Sequence, residues 1–132
     1  MDYHVLDPAD LAPSEDFPCG RRSLTEAVDL ATVAAAVYDL EPGEQLSRFY
    51  HYHELREELF YVISGSITVE TPEGEYEVST SSVFLAKPNS PHRPYNPDSA
   101  DEPARVFGVG APRSDVGRKY EPDTGDGLDE PE

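Results

Sequence analysis

The stretch His51 to Gly65, HYHELREELFYVISG, constrains this chain more than any other. His51 and His53 stand two apart. A strand has a side-chain period of two, so both imidazoles would point to one face. Glu58 follows at the head of LFYVI, a run with strong strand preference. Glu58, Phe60 and Val62 would share one face, and Gly65 ends the run. A second segment, KPNSPHRPYN, carries His92. Three of the four histidines therefore lie in two short segments, with only His4 outside them.

These segments resemble the two motifs of the cupin superfamily. The first family motif reads Gly, a short gap, His-x-His, three or four residues, Glu, six residues, Gly. His51, His53, Glu58 and Gly65 match it, while Gly43 stands farther upstream than usual. The second motif reads Gly, five residues, Pro-x-Gly, two residues, His, three residues, Asn. Aligned on His92, Asn96 falls in place, but Ser81, Lys87 and Asn89 replace the first Gly, the Pro and the second Gly. Asn is the usual substitute where a turn needs a positive φ. The resemblance covers roughly residues 33 to 110. It implies an all-β fold, a double-stranded β-helix or jelly-roll barrel, with a metal inside.

His51, His53, Glu58 and His92 are the expected metal ligands. Three imidazoles and a carboxylate suit Fe, Mn, Ni or Zn, and also Co or Cu, with no thiolate to narrow the choice. Four protein ligands would leave one or two positions open on a five- or six-coordinate ion, as a catalytic site requires. Glu57 is the rival carboxylate, but on a regular strand it points away from the face of Glu58. Glu58 is also the best candidate acid or base. Phe49 beside His51 and Phe60 beside Glu58 would make the pocket apolar, or simply pack the core. Tyr38, Arg48, Arg93 and Tyr95 are candidates for contacting an anionic substrate at the pocket mouth. Asn96 is expected to fix the turn after His92 and is also a possible pocket residue. Cys19 reads as a small buried residue and His4 as a surface one.

Along the chain, residues 1–22 read as an irregular arm, 23–112 as the barrel domain and 113–132 as an acidic tail. Strands are expected at 23–29, 32–40, 46–53, 58–64, 66–71, 75–79, 83–86, 92–95 and 104–110. Short strands with turn signals at this spacing suggest a barrel or sandwich. The LFYVI run is apolar on both faces, which suits cover by a second sheet or a subunit partner. Residues 111–132 lose periodicity. The last twelve, with six acids and no base, cannot bury enough apolar surface to offset their ordering entropy and read as solvated and disordered.

Charge narrows the partners. With 27 acids against 10 bases the chain carries −17. Nucleic acid is excluded by that sign, because phosphate binding needs a basic surface. The composition looks like that of proteins from salt-loving organisms, whose acidic repulsion is screened by salt. A single cysteine, no signal pattern and no long apolar stretch suit a reducing cytoplasm and exclude a membrane-spanning helix. The expected function is a metal-dependent enzyme on a small organic molecule, dioxygenase-like in chemistry. A non-catalytic binding or sensing module and a non-redox sugar isomerase are the alternatives. Homodimers are common among single-domain cupins, and a homodimer is expected here.

Overall fold

The computed structural model describes residues 1–122. Ten strands form: β1 (Gly20–Ser23), β2 (Ala34–Leu40), β3 (His51–Tyr52), β4 (Glu57–Ser64), β5 (Ser66–Thr71), β6 (Gly74–Ser79), β7 (Val83–Ala86), β8 (Arg93–Tyr95), β9 (Ala104–Ala111) and β10 (Arg118–Lys119). A five-stranded sheet runs β1-β2-β9-β4-β7 and a three-stranded sheet runs β6-β5-β8, both antiparallel throughout. A two-stranded ribbon, β10-β3, lies at one end. The bridge between His51 and His92 ties that ribbon to the second sheet. This is the expected all-β jelly-roll barrel.

The period-two pattern of the sequence places the core. On β4, Phe60 and Val62 point inward and Tyr61 and Ile63 outward. On β9, Ala104 and Val106 alternate with half-buried Arg105 and Phe107. The inward residues meet Leu40, Leu46, Ile67, Val69 and Val78 in one cluster, which Cys19 joins as expected. Each large apolar side chain so buried contributes about 1.5–3 kcal/mol. Two positions where the family motif carries Gly have left-handed backbone here: Ser81 (φ 70°) and Asn89 (φ 64°). The geometry of the turns is therefore kept although the glycines are replaced.

Three expectations are corrected. Residues 23–29 are not a strand. Only Ser23 pairs, with Ala36, and the chain then turns into a five-residue helix, α1 (Leu24–Val28). The Ser23 hydroxyl accepts from the Glu26 amide at 3.1 Å, a cap that a β-ladder cannot use. Residues 46–50 are not a strand either. Gln45 Nε2 donates to the carbonyls of Ser47 and Arg48, and Ser47 Oγ donates to that of Phe49, so side chains replace the ladder. Finally, an ordered segment follows residue 112. Arg118–Lys119 pair with His51–Tyr52, and Tyr120 donates its amide to Tyr50 and stacks on its ring. We call residues 112–120 the strap. Most of the expected solvated end, residues 123–132, lies outside the described residues.

Candidate metal centre

β3, the turn after it, the start of β4 and the residue before β8 bring four side chains together at one end of the barrel. His51, His53 and His92 are buried, and the Glu58 side chain is 11 % exposed. Glu58 sits opposite Gly110 of β9. A Cβ on Gly110 would come within 2.8 Å of the Arg56 side chain and 3.1 Å of Glu58 Cγ, so glycine makes the room this carboxylate occupies. Glu57 is exposed, whereas Glu58 faces the three imidazoles.

All three imidazoles are held alike. His51 Nδ1 faces the Phe49 carbonyl at 3.1 Å, His53 Nδ1 that of Asp115 at 2.8 Å, and His92 Nδ1 that of Ser90 at 2.8 Å. A carbonyl only accepts, so each Nδ1 carries the hydrogen and each Nε2 turns inward. The Nε2 atoms lie 3.6, 3.4 and 2.9 Å from Glu58 oxygens for His51, His53 and His92. Nε2 lone pairs and a carboxylate facing one another call for a cation between them: a shared proton, or a metal ion. The ligand atoms of His51, Glu58 and His92 all lie within 4.8 Å of one another, a spacing one ion can bridge. Burial alone would raise the Glu58 carboxyl. When a proton sits on the Nε2 side, hydrogen bonds from His51, His53 and His92 outweigh burial and hold the group well below the usual carboxylate range.

A cavity of about 240 Å³ opens onto this cluster, walled by Phe17, Tyr38, Leu46, Phe60 and Gly117, with Arg48 and Phe49 at its rim. Burial pushes the Tyr38 phenol up, so it stays protonated beside the site. Phe60 lies inside the barrel, its ring 5.8 Å from that of His92. Phe49 does not face inward. Without a strand at 46–50 it turns to the rim, half exposed, under the Lys119 ammonium.

Arg93 and Tyr95 are corrected as well. Both leave the outer side of β8, whose inward residue is Pro94. Arg93 pairs with Glu70 at 2.8 Å and Tyr95 donates to Glu75, far from the cavity lining. Asn96 is buried and structural, its Nδ2 donating to the carbonyls of Leu40 and Glu102. His4 is exposed and paired with Asp2.

Sequence reasoning missed Arg56, Phe17, Asp115 and Gly117. Arg56 Nη1 lies 3.6 Å from Glu58 Oε2, and its position two before Glu58 was a usable signal. Asp115 anchors the strap: its carboxylate accepts from the Leu55 and Arg56 amides at 2.7 and 2.9 Å.

Residues 36–110 match the family model of the cupin domain. No match is found among the curated proteins. Among solved structures, the chain is similar to a protein from Acidithiobacillus ferrooxidans described as a sugar phosphate isomerase. The two are 25 % identical with a TM-score of 0.66, over 76 % of this chain but only 64 % of that one, so this chain spans less than two thirds of its length. It is also similar to a sugar phosphate isomerase from Silicibacter pomeroyi, at 20 % identity and a TM-score of 0.75, over 89 % and 82 % of the two chains. A polyketide cyclase from Streptomyces resistomycificus matches at 18 % identity and 0.72, over 91 % and 87 %. The last two likenesses show the fold alone.

Proposed function

The chain belongs to the cupin family, and on that premise we propose that it is a metal-dependent enzyme acting on a small organic molecule. His51, His53, Glu58 and His92 would hold one divalent transition metal, Fe, Mn, Ni or Zn. The observation that carries this is the shared orientation of the three imidazoles, each with Nδ1 on a backbone carbonyl and Nε2 toward Glu58. Such a metal supplies Lewis-acid polarisation of a substrate oxygen, and with Fe, Mn or Ni also oxygen chemistry.

The remaining work falls to the chain. Backbone carbonyls fix the rings. Phe17 and Phe60 line the cavity with apolar surface and limit water near the cluster. Tyr38 keeps its proton and can donate a hydrogen bond to bound substrate. Glu58, facing the three imidazoles, serves as a ligand or base rather than an acid. A dioxygenase-like reaction is the first reading. The likeness to the protein from Acidithiobacillus ferrooxidans described as a sugar phosphate isomerase favours a non-redox isomerase as the second. Oxygen uptake separates them, since an isomerase turns over anaerobically.

The test is metal analysis of protein purified without chelator or a metal column, beside the His51→Ala/His53→Ala variant. About one equivalent of metal is expected in the parent, and none in a variant whose circular dichroism is unchanged. Stoichiometric metal in that variant would overturn the ligand set.

Two further features belong to this reading. The outer face of the five-stranded sheet exposes Tyr61, Ile63, Val83 and Leu85, the last at 67 %, a continuous apolar surface suited to a second copy of the chain. The two larger depressions, of about 470 and 540 Å³, lie around Leu85 on that face and lack the histidine cluster. The charge of −17 fits a saline cytoplasm. Among the described residues no helix is long and apolar enough to cross a membrane. Light scattering and thermal melts from low salt to molar KCl test both: a dimer mass and a rising melting temperature are expected. A monomer throughout, or a flat melting temperature, counts against the corresponding feature.

A further inference from the structure

We propose that the cavity takes a small oxyanion, a carboxylate or phosphate, with Arg48 at its mouth and Arg56 at its floor as the recognising cations. This rests on the metal-centre reading and names the substrate class of that site.

Cations are scarce in a chain with 27 acids and 10 bases, and most are spent on carboxylates. Arg22 and Arg105 share Asp39, Arg93 holds Glu70, Arg118 holds Glu54 and Lys119 holds Glu121. Arg48 differs. Its guanidinium lies 4.9 Å from the Phe17 ring centroid, and its Nη1 donates to the Asp16 carbonyl at 2.6 Å. Among the described residues no carboxylate stands within ion-pair distance of it. Phe17 also underlies Arg21 at 5.2 Å, so one aromatic ring steadies two guanidiniums beside the cavity. An arginine fixed by stacking keeps its remaining donors in a fork that fits carboxylate or phosphate oxygens.

Arg56 is the inner counterpart. Its side chain is 13 % exposed. Nε and Nη2 donate to the carbonyls of Pro112 and Arg113 at 3.3 and 2.8 Å, which leaves Nη1 aimed at Glu58. Glu58 would have to serve both this guanidinium and the metal. With the ion bound, the cavity floor carries a surplus of positive charge. An anionic ligand neutralises that surplus, and a neutral one leaves it buried and unpaired. The surface of this chain repels anions in general, so admitting one requires local cations of this kind. Size narrows the class: about 240 Å³ corresponds to roughly eight waters of about 30 Å³ each, which fits a short-chain acid or a small phosphate ester.

The experiment is calorimetric titration at fixed ionic strength with malonate, inorganic phosphate and the neutral isostere malonamide, on metal-loaded and metal-stripped protein. Metal content is measured in parallel for the parent, Arg48→Gln and Arg48→Lys. Saturable binding of malonate or phosphate is expected, with malonamide at least tenfold weaker. Arg48→Gln should weaken the anion at least tenfold at unchanged metal content, and Arg48→Lys should restore part of it. The malonate and phosphate arms decide which oxyanion is preferred. Equal binding of malonamide, or no effect of Arg48→Gln in protein that holds its metal, overturns the proposal and leaves the metal centre standing. Protein that takes up no metal yet binds the anion through Arg48 supports the subsite and sinks the metal reading instead. Protein that binds neither anion in either state overturns the subsite.

Discussion

His51 and His92 on one side, and His53 on the other, face the same carboxylate but are held by different parts of the chain. His51 and His92 each hydrogen-bond the carbonyl two residues earlier, of Phe49 and Ser90. Those carbonyls arrive with the imidazole itself, as part of the same short loop. His53 is held by the Asp115 carbonyl, 62 positions away. That carbonyl is in place only when the strap has folded back across the barrel end. Two imidazoles are thus oriented locally, and the third by tertiary structure. The strap sits tightly there: a Cβ on Gly117 would stand 3.0 Å from the His51 ring and 3.5 Å from that of His53. Orientation of the His53 ring is therefore coupled to docking of residues 112–120, whereas the rings of His51 and His92 find their acceptors in their own loops, even though Lys119 of the strap pairs with the His51 backbone.

The largest effect should come from breaking the remote arm. Asp115→Ala removes the acceptor for the Leu55 and Arg56 amides and frees the strap. Loss of a group that orients a ligating histidine costs about 10–100-fold in metal affinity. The variant should fall in that range in a competition titration against a chelating dye. Asp115→Asn keeps one acceptor oxygen and should fall between parent and Ala. Acid should imitate the substitution. The Leu55 amide chiefly, then the Arg56 amide, hold the Asp115 carboxyl below its usual range against the opposing effect of burial. A depressed carboxyl contributes its full stabilisation above the ordinary aspartate pKa of about 3.9. That contribution is lost as pH falls through the lowered value. Protection of the Leu55 and Arg56 amides against hydrogen exchange should decline over that window, ahead of the β4 and β9 amides. Simultaneous loss everywhere would mean the strap is no separate unit.

The same division between local and remote explains what could be read from the sequence. β4 was legible because its apolar residues alternate and Gly65 ends the run, and the preference for Glu58 over Glu57 rested on the motif spacing to Gly65 together with the opposite faces of the two residues. The helix after Ser23 had a signal in the cap spacing of Ser23 and Glu26, which the alternation of Val33, Ala35 and Val37 farther along outweighed in favour of a strand. The outward direction of Arg93 follows from the same strand period. Arg93 comes directly after inward-facing His92 and so points outward. Phe49 falls outside this rule. The period-two argument needs a strand, and the Gln45 and Ser47 side chains had already taken the backbone carbonyls there. Asp115 left no trace, because nothing in an acidic, aperiodic stretch distinguishes the acid that caps two distant amides from its neighbours.

The smallest effect, and the sharpest check on this contrast, lies at Ser47. His51 Nδ1 has two acceptors: the Phe49 carbonyl at 3.1 Å and the Ser47 hydroxyl at 3.3 Å. The hydroxyl itself donates to that same carbonyl at 3.1 Å. Ser47→Ala deletes one acceptor and relieves the other of a competing donor, so His51 keeps its tautomer and its aim. Metal affinity should change by less than about threefold, short of the roughly tenfold that marks loss of an orienting group. Should Ser47→Ala instead weaken the metal as much as Asp115→Ala, the Phe49 carbonyl alone does not hold His51. Local placement would then give this ligand no more independence than the strap gives His53.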